Sequence, residues 1–356
     1  MAQDDYGVVV GIQSYPALDT DHQLLGPERD AKAFYNWLVS PTGGDVPPGN
    51  VTLIVSSYYT PPFASRSSAK PIAQDVQDAF DNLQDIATDN NKKKKGLRTG
   101  RRLYIYFAGH GFSPRPDQTA LLMANAAFEK VGPLYHILGQ YTADWFFRTA
   151  YFDEIMLFMD CCRETVSVSG LNMSWTDQDV PDAAKNVKRF YGQATQWSGV
   201  AREKVIDGDR RGVFTVTLMR GLEGAASNPT GEITAASLSS YLYNNMKELL
   251  DAEDIADGAP EEPQVDFYPK NGGDGFLITK VAPPTFPVSI TVPDNALGKT
   301  GMVFGGDFSV VESIAEVPKV WEVNLHRGKY LAQIQGTGLQ EPFDVNGTGG
   351  VNVTLK

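Results

Sequence analysis

Only two cysteines occur in 356 residues, and they are neighbours, Cys161 and Cys162. No disulfide framework can be built from such a pair. Long apolar runs are missing as well: none approaches the roughly 20 residues that a membrane-spanning helix needs. Basic charge is in deficit, with 31 Lys and Arg against 43 Asp and Glu and a formal net charge of -12. That balance argues against general attraction to nucleic acid or to anionic membranes. The opening MAQDDYGVVVGI carries acids where a secretory signal carries bases. A cytoplasmic protein is the expectation, which makes the Asn-X-Thr triplets at Asn50, Asn346 and Asn352 chance occurrences.

What is present reads as a globular chain, 42% hydrophobic and 21% charged, and long enough for two domains. Tyr6 to Ile12 is a β-branched run and a first strand. Pro27 opens a helix over about 27 to 39, with Ala31, Phe34, Tyr35 and Leu38 at helical spacing. Val51 to Ser56 is a second strand, and Ile72, Val76, Phe80, Leu83 and Ala87 mark a second helix. The basic segment Lys92 to Lys95, with Arg98, Arg101 and Arg102 behind it, reads as a solvated loop. Thr142 caps a short helix holding Trp145 and Phe146. A fifth strand spans Arg189 to Thr195, two further helices follow, and Phe276 to Thr279 is a sixth strand.

Strands alternating with helices over residues 1–280 predict an α/β unit, a mostly parallel six-stranded sheet with helices on both faces. Val281-Ala282-Pro283-Pro284 then reads as a linker over 281–285. Residues 286–356 show short alternating runs separated by turn residues, the pattern of a small all-β sandwich.

Two segments carry the chemistry. Leu103-Tyr104-Ile105-Tyr106-Phe107 and Ile155-Met156-Leu157-Phe158-Met159 are continuous apolar runs, as strands buried on both faces show. The first ends in Ala108-Gly109-His110-Gly111 and the second in Asp160-Cys161-Cys162. In open parallel sheets, ligands sit outside the carboxyl ends of the strands. A thiol and an imidazole at those ends make a nucleophile and a general base. The N–H groups of Gly111 and Cys162 are suited to an oxyanion. Cys161 should point to the opposite face of the strand from its neighbour.

Taken together, these motifs resemble those of caspase-like cysteine peptidases, nearest to their bacterial and metacaspase branch. The 52-residue separation of His110 and Cys162 is close to the roughly 50 found in caspases. VVVGIQSYP resembles the first strand of that family, and Leu25 to Ala31 the start of its first helix. Gly212-Val213-Phe214-Thr215 resembles a later helix, so that the similarity covers about residues 5 to 280. The resemblance implies a caspase-haemoglobinase-like fold, catalysis by His110 and Cys162, and protein or peptide substrates. It further implies that Asp30 and Asp160 line a specificity pocket favouring Arg or Lys before the scissile bond, where Arg can pair bidentately. Ala108 and Arg163 depart from the family pattern and would alter the rim of that pocket.

The resemblance also implies a regulated role in bacterial stress or antiviral defence, with a regulatory protein partner. It raises self-cleavage near Lys185, Lys188 and Arg189, and a calcium site that Asp177, Asp179 and Asp182 would serve. No loop spacing here matches a calcium motif, and a solvated acidic loop is the favoured reading, with no cofactor expected. Residues Arg327 to Tyr330 resemble small transthyretin-like modules. The competing function is an interaction scaffold of the same fold with little or no proteolysis.

Overall fold

The computed structural model describes all residues except 1, 19–22, 61–62, 64, 128–133, 167–180, 257–261, 270–272 and 348. Two compact units are formed, one by residues 1–219 with 242–276 and the other by 220–241 with 277–356.

The first unit opens with β1 (Asp5–Gly11), α1 (Pro27–Val39), β2 (Val51–Val55), α2 (Ala73–Lys92) and β3 (Gly100–Ala108). Three short strands follow, β4 (Gly111–Phe112), β5 (Ala120–Leu122) and β6 (His136–Leu138), then α3 (Gly139–Thr149) and β7 (Phe152–Asp160). Next come α4 (Pro181–Ala184), β8 (Lys188–Gln193), the hairpin β9 (Glu203–Ile206) and β10 (Asp209–Gly212), and α5 (Val213–Arg220). The first unit also holds α7 (Ala252–Ala256) and β12 (Gln264–Tyr268), while β11 (Glu232–Thr234), most of α6 (Ala235–Asn245) and β13 (Leu277–Lys280) fall in the second.

Six strands make one sheet in the order β12-β8-β7-β3-β1-β2. All neighbours run parallel except β12, which is antiparallel to β8. The apolar runs of β3 and β7 explain why they are central. Leu103, Ile105, Phe107, Ile155, Leu157 and Met159 pack on one face with Val76 and Phe80 of α2 and Phe146 of α3. The alternate residues face α1: Phe34 stacks on Tyr106 at 4.6 Å and lies 5.5 Å from Phe158. The Tyr106 hydroxyl meets Thr215 Oγ1 at 2.6 Å, which brings α5 to the same face. Each such buried aromatic contributes about 1.5–3 kcal/mol through the area it removes from water.

Several expectations need correction. The sixth strand of the sheet is β12, not Phe276 to Thr279; residues 277–280 pair with β11 instead. The run Gln264-Val265-Asp266-Phe267-Tyr268 hid its strand because of Asp266, which pairs across the strands with Arg189 at 3.0 Å. Thr142 is buried inside α3, which begins at Gly139, and does not cap it. The basic segment is not all solvated. Arg102 is 2% exposed, and it bonds Glu154 and the Tyr104 hydroxyl beneath the sheet. Lys188 and Arg189 begin β8; Arg189 is paired on both sides, with β7 and β12, and Lys188 with β7. Lys185 is exposed and pairs with Asp182 at 2.9 Å, while Asp177 and Asp179 fall outside the described residues.

The second unit contains β14 (Phe286–Thr291), β15 (Gly301–Gly305), β16 (Val310–Ile314), β17 (Val320–Leu325), β18 (Gly328–Ile334), β19 (Gln340–Val345) and β20 (Val351–Thr354). They form sheets β17-β14-β20 and β16-β15-β18-β19. Alternation puts Trp321, Val323 and Leu325 inward from one sheet and Ala332 and Ile334 from the other, in a shared core. Among the described residues of the chain, no helix is long and apolar enough to cross a membrane.

Candidate active site

Strand register sets the site. Gly11 lies opposite Ala108, and Ala108 opposite Asp160, so β1, β3 and β7 end together at one edge of the sheet. The residues that follow these ends therefore converge. His110, Gly111 and Cys162 line one cavity of about 400 Å³, together with Asp30, Ala108 and Asp160. All five predicted site residues are among these, brought together from three elements.

His110 is held from the end of β1. Its backbone N–H donates to the Tyr15 hydroxyl at 2.9 Å, and its ring meets the Tyr15 ring edge-on at 4.8 Å. Tyr15 is fully buried, and burial pushes its phenol far up, so the hydroxyl stays protonated. Gly109 makes the contact feasible. It has φ +149°, and a Cβ there would come within 2.6 Å of the Tyr15 hydroxyl. Tyr15→Phe keeps the ring but leaves the His110 N–H without its acceptor, and should cost about 1–3 kcal/mol. Denaturant unfolding checks this; an unchanged midpoint would mean that the N–H finds another partner.

Cys161 and Cys162 separate as the strand geometry requires. Cys161 is 2% exposed and packs in the same core as Met159, against the space left by the missing side chain of Gly111. Cys162 is partly exposed, and its thiol faces the Ala201 carbonyl at 3.9 Å. Burial pushes the Cys162 thiol up to about 11, with Glu164 and Asp160 acting in the same direction and Arg202 against them. A thiol so placed is protonated at neutral pH, and attack requires a base to take its proton. Arg163 does not reach the rim that sequence reading assigned it. It is wholly buried, donating to Thr119 at 3.0 Å, to the Thr195 carbonyl at 3.2 Å and to the Pro116 carbonyl at 2.5 Å.

The acidic side of the cavity is built by α1, β7 and the start of α5. Asp160 Oδ2 accepts the Thr215 N–H at 3.1 Å and the Thr215 hydroxyl at 2.5 Å. Burial, and then the charge of Asp30, push Asp160 up to about 7. Asp30 accepts the Gly212 N–H at 2.7 Å and the Arg211 Nε–H, and burial pushes it up to about 6. Gly212 lies between the two carboxyls, where any Cβ would collide with Asp160.

The β9–β10 hairpin went unrecognised in the sequence, although it had a signal. Asp207-Gly208 is a two-residue turn with φ of +55° and +87°, the conformation Asp-Gly favours between strands. The hairpin is stitched to α1: Arg29 donates to the Arg210 carbonyl at 3.1 Å and pairs with Asp209 at 3.3 Å. It delivers Glu203 to the cavity. His136 is buried against Phe112 and His326 bonds the Pro284 carbonyl, both outside the cavity; His22 lies outside the described residues.

No family model matches the chain. A curated protein described as a probable protease, from a Desulfuromonadales bacterium, is 26% identical over 231 residues, or 63% of this chain. The chain spans about a quarter of that relative's length. Among solved structures, caspase-1 from Spodoptera frugiperda aligns with a TM-score of 0.44 and 11% identity, over 74% of this chain and 86% of its own. A Geobacter sulfurreducens protein aligns with a TM-score of 0.40 and 13% identity, over 78% of this chain and 100% of its own.

Proposed function

We propose that the chain is a caspase-like cysteine endopeptidase that cleaves protein substrates after Arg or Lys. The observation that carries the reading is one cavity lined by His110, Gly111 and Cys162 together with Asp30 and Asp160. The relative described as a probable protease supports the reaction class. In this reading His110 takes the Cys162 proton as sulfur attacks the scissile carbonyl. The Gly111 and Cys162 N–H groups hold the oxyanion, and the proton passes to the departing amine. Water then hydrolyses the thioester with His110 as base. A carboxyl-lined pocket suits a cationic side chain on the substrate, since charges shielded from bulk water interact more strongly.

Within the same proposal, residues 1–280 act as the peptidase and 286–356 as an accessory module that braces or recruits. The setting is bacterial defence or stress signalling in the cytoplasm. A panel of fluorogenic peptides tests the reaction, paired with labelling by a peptidyl chloromethylketone that carries Arg next to the ketone. Arginyl and lysyl peptides should be cleaved and the probe should label Cys162. Turnover of aspartyl peptides alone would sink the specificity; no turnover and no labelling would sink the peptidase.

A further inference from the structure

Among the described residues, four carboxyl groups line the cavity, Asp30, Asp160, Glu164 and Glu203, beside one arginine, Arg202. They are not equivalent. Asp30 is 1% exposed and is bonded to the Arg211 guanidinium and to the Gly212 N–H. Its charge is matched inside the fold, and a compensated charge attracts a second cation weakly. Asp160 is held by the N–H and hydroxyl of Thr215, which are neutral donors. Glu203 accepts the Gly26 N–H at 2.8 Å and the Leu25 N–H at 3.3 Å, again neutral. Neither has a cationic partner among the described residues. Glu164 and Arg202 act on the Cys162 thiol, with opposite signs.

We infer that recognition of a guanidinium or ammonium side chain in this cavity falls to Asp160 and Glu203. Asp30, engaged by Arg211, serves instead as the clamp between α1 and the β9–β10 hairpin. Glu203 is thereby a specificity-determining residue supplied by the hairpin, and the hairpin's attachment to α1 fixes its place. The inference rests on the peptidase reading for its biological meaning, but the binding it describes can be measured without turnover.

In the Cys162→Ala protein, n-butylguanidinium is titrated by calorimetry with neutral n-butylurea as control. Glu203→Gln should weaken cation binding about tenfold and Glu203→Lys should remove it, whereas Asp30→Asn should change it less than about threefold. In the protein with its thiol, the same Glu203→Gln change should lower the ratio of kcat/KM for matched arginyl and citrullyl peptides about tenfold. An unaltered ratio or affinity in Glu203→Gln overturns the inference, as does an Asp30→Asn loss equal to that of Glu203→Gln. If Asp30→Asn does not fold, Glu203→Lys decides: cation binding that survives it overturns the inference. Cation binding with the expected losses but no peptide cleavage supports the inference and removes the peptidase reading. Cleavage of arginyl peptides with an unaltered ratio in Glu203→Gln does the reverse.

Discussion

Cys162→Ala should abolish peptide hydrolysis, a loss of about 10,000-fold or more in kcat, while leaving the unfolding midpoint nearly unchanged. The first half follows from the role of the sulfur: without it no thioester forms, and only binding and oxyanion contacts remain. The second half follows from its surroundings. The thiol opens on the cavity, and its one polar contact among the described residues is a long one, 3.9 Å to the Ala201 carbonyl. Cys161→Ala should give the converse result. That side chain fills core space between β7 and the glycine at 111, so its removal should cost about 1 kcal/mol and leave turnover intact. Peptide hydrolysis and thermal unfolding, measured on both variants, separate the two cysteines. Retained turnover in Cys162→Ala would falsify its assignment as nucleophile, whatever happened in Cys161→Ala.

The elements legible in the sequence were those whose signals are local. The apolar runs of β3 and β7 and the 3.6-residue spacing of Ala31, Phe34 and Leu38 needed no knowledge of the rest of the chain. The placement of His110 and Cys162 at one edge followed from the rule that parallel strands present their carboxyl ends together. What escaped was decided by pairing across long separations. Tyr15 supports His110 from 95 residues away, and Arg211 reaches Asp30 across 181. Nothing in the windows around them marks either contact. β12 was concealed by an aspartate in a strand, which only its cross-strand arginine explains. Both aspartates named from the sequence line the cavity, but the charge balance around them was not legible. Asp30 comes with a counter-ion, and Glu203 was not anticipated.

Asp160→Asn should stabilise the free protein at pH 8 and at the same time reduce its discrimination for Arg over citrulline about tenfold. Burial and the neighbouring Asp30 push Asp160 up to about 7, from an ordinary carboxyl value near 3.8. Between those values the folded protein holds a proton that the unfolded chain has released. Stability therefore falls as pH rises through that interval, and the loss is complete above about 7. An amide carries no such penalty, and its oxygen still accepts the Thr215 N–H and hydroxyl that Asp160 Oδ2 accepts. The difference between variant and wild type should be small at pH 4 and reach about 2–4 kcal/mol at pH 8, read by denaturant unfolding at both pH values. A cation entering the cavity reverses the sign, because it favours the ionised carboxylate. Arginyl peptides should accordingly gain over citrullyl ones as pH rises through about 6 to 7, and Asp160→Asn should flatten that gain. A stability difference that does not depend on pH would mean that Asp160 is already ionised in the free protein. The pocket would then be an acidic site without a cost, and substrate charge would have less to do there than its burial suggests.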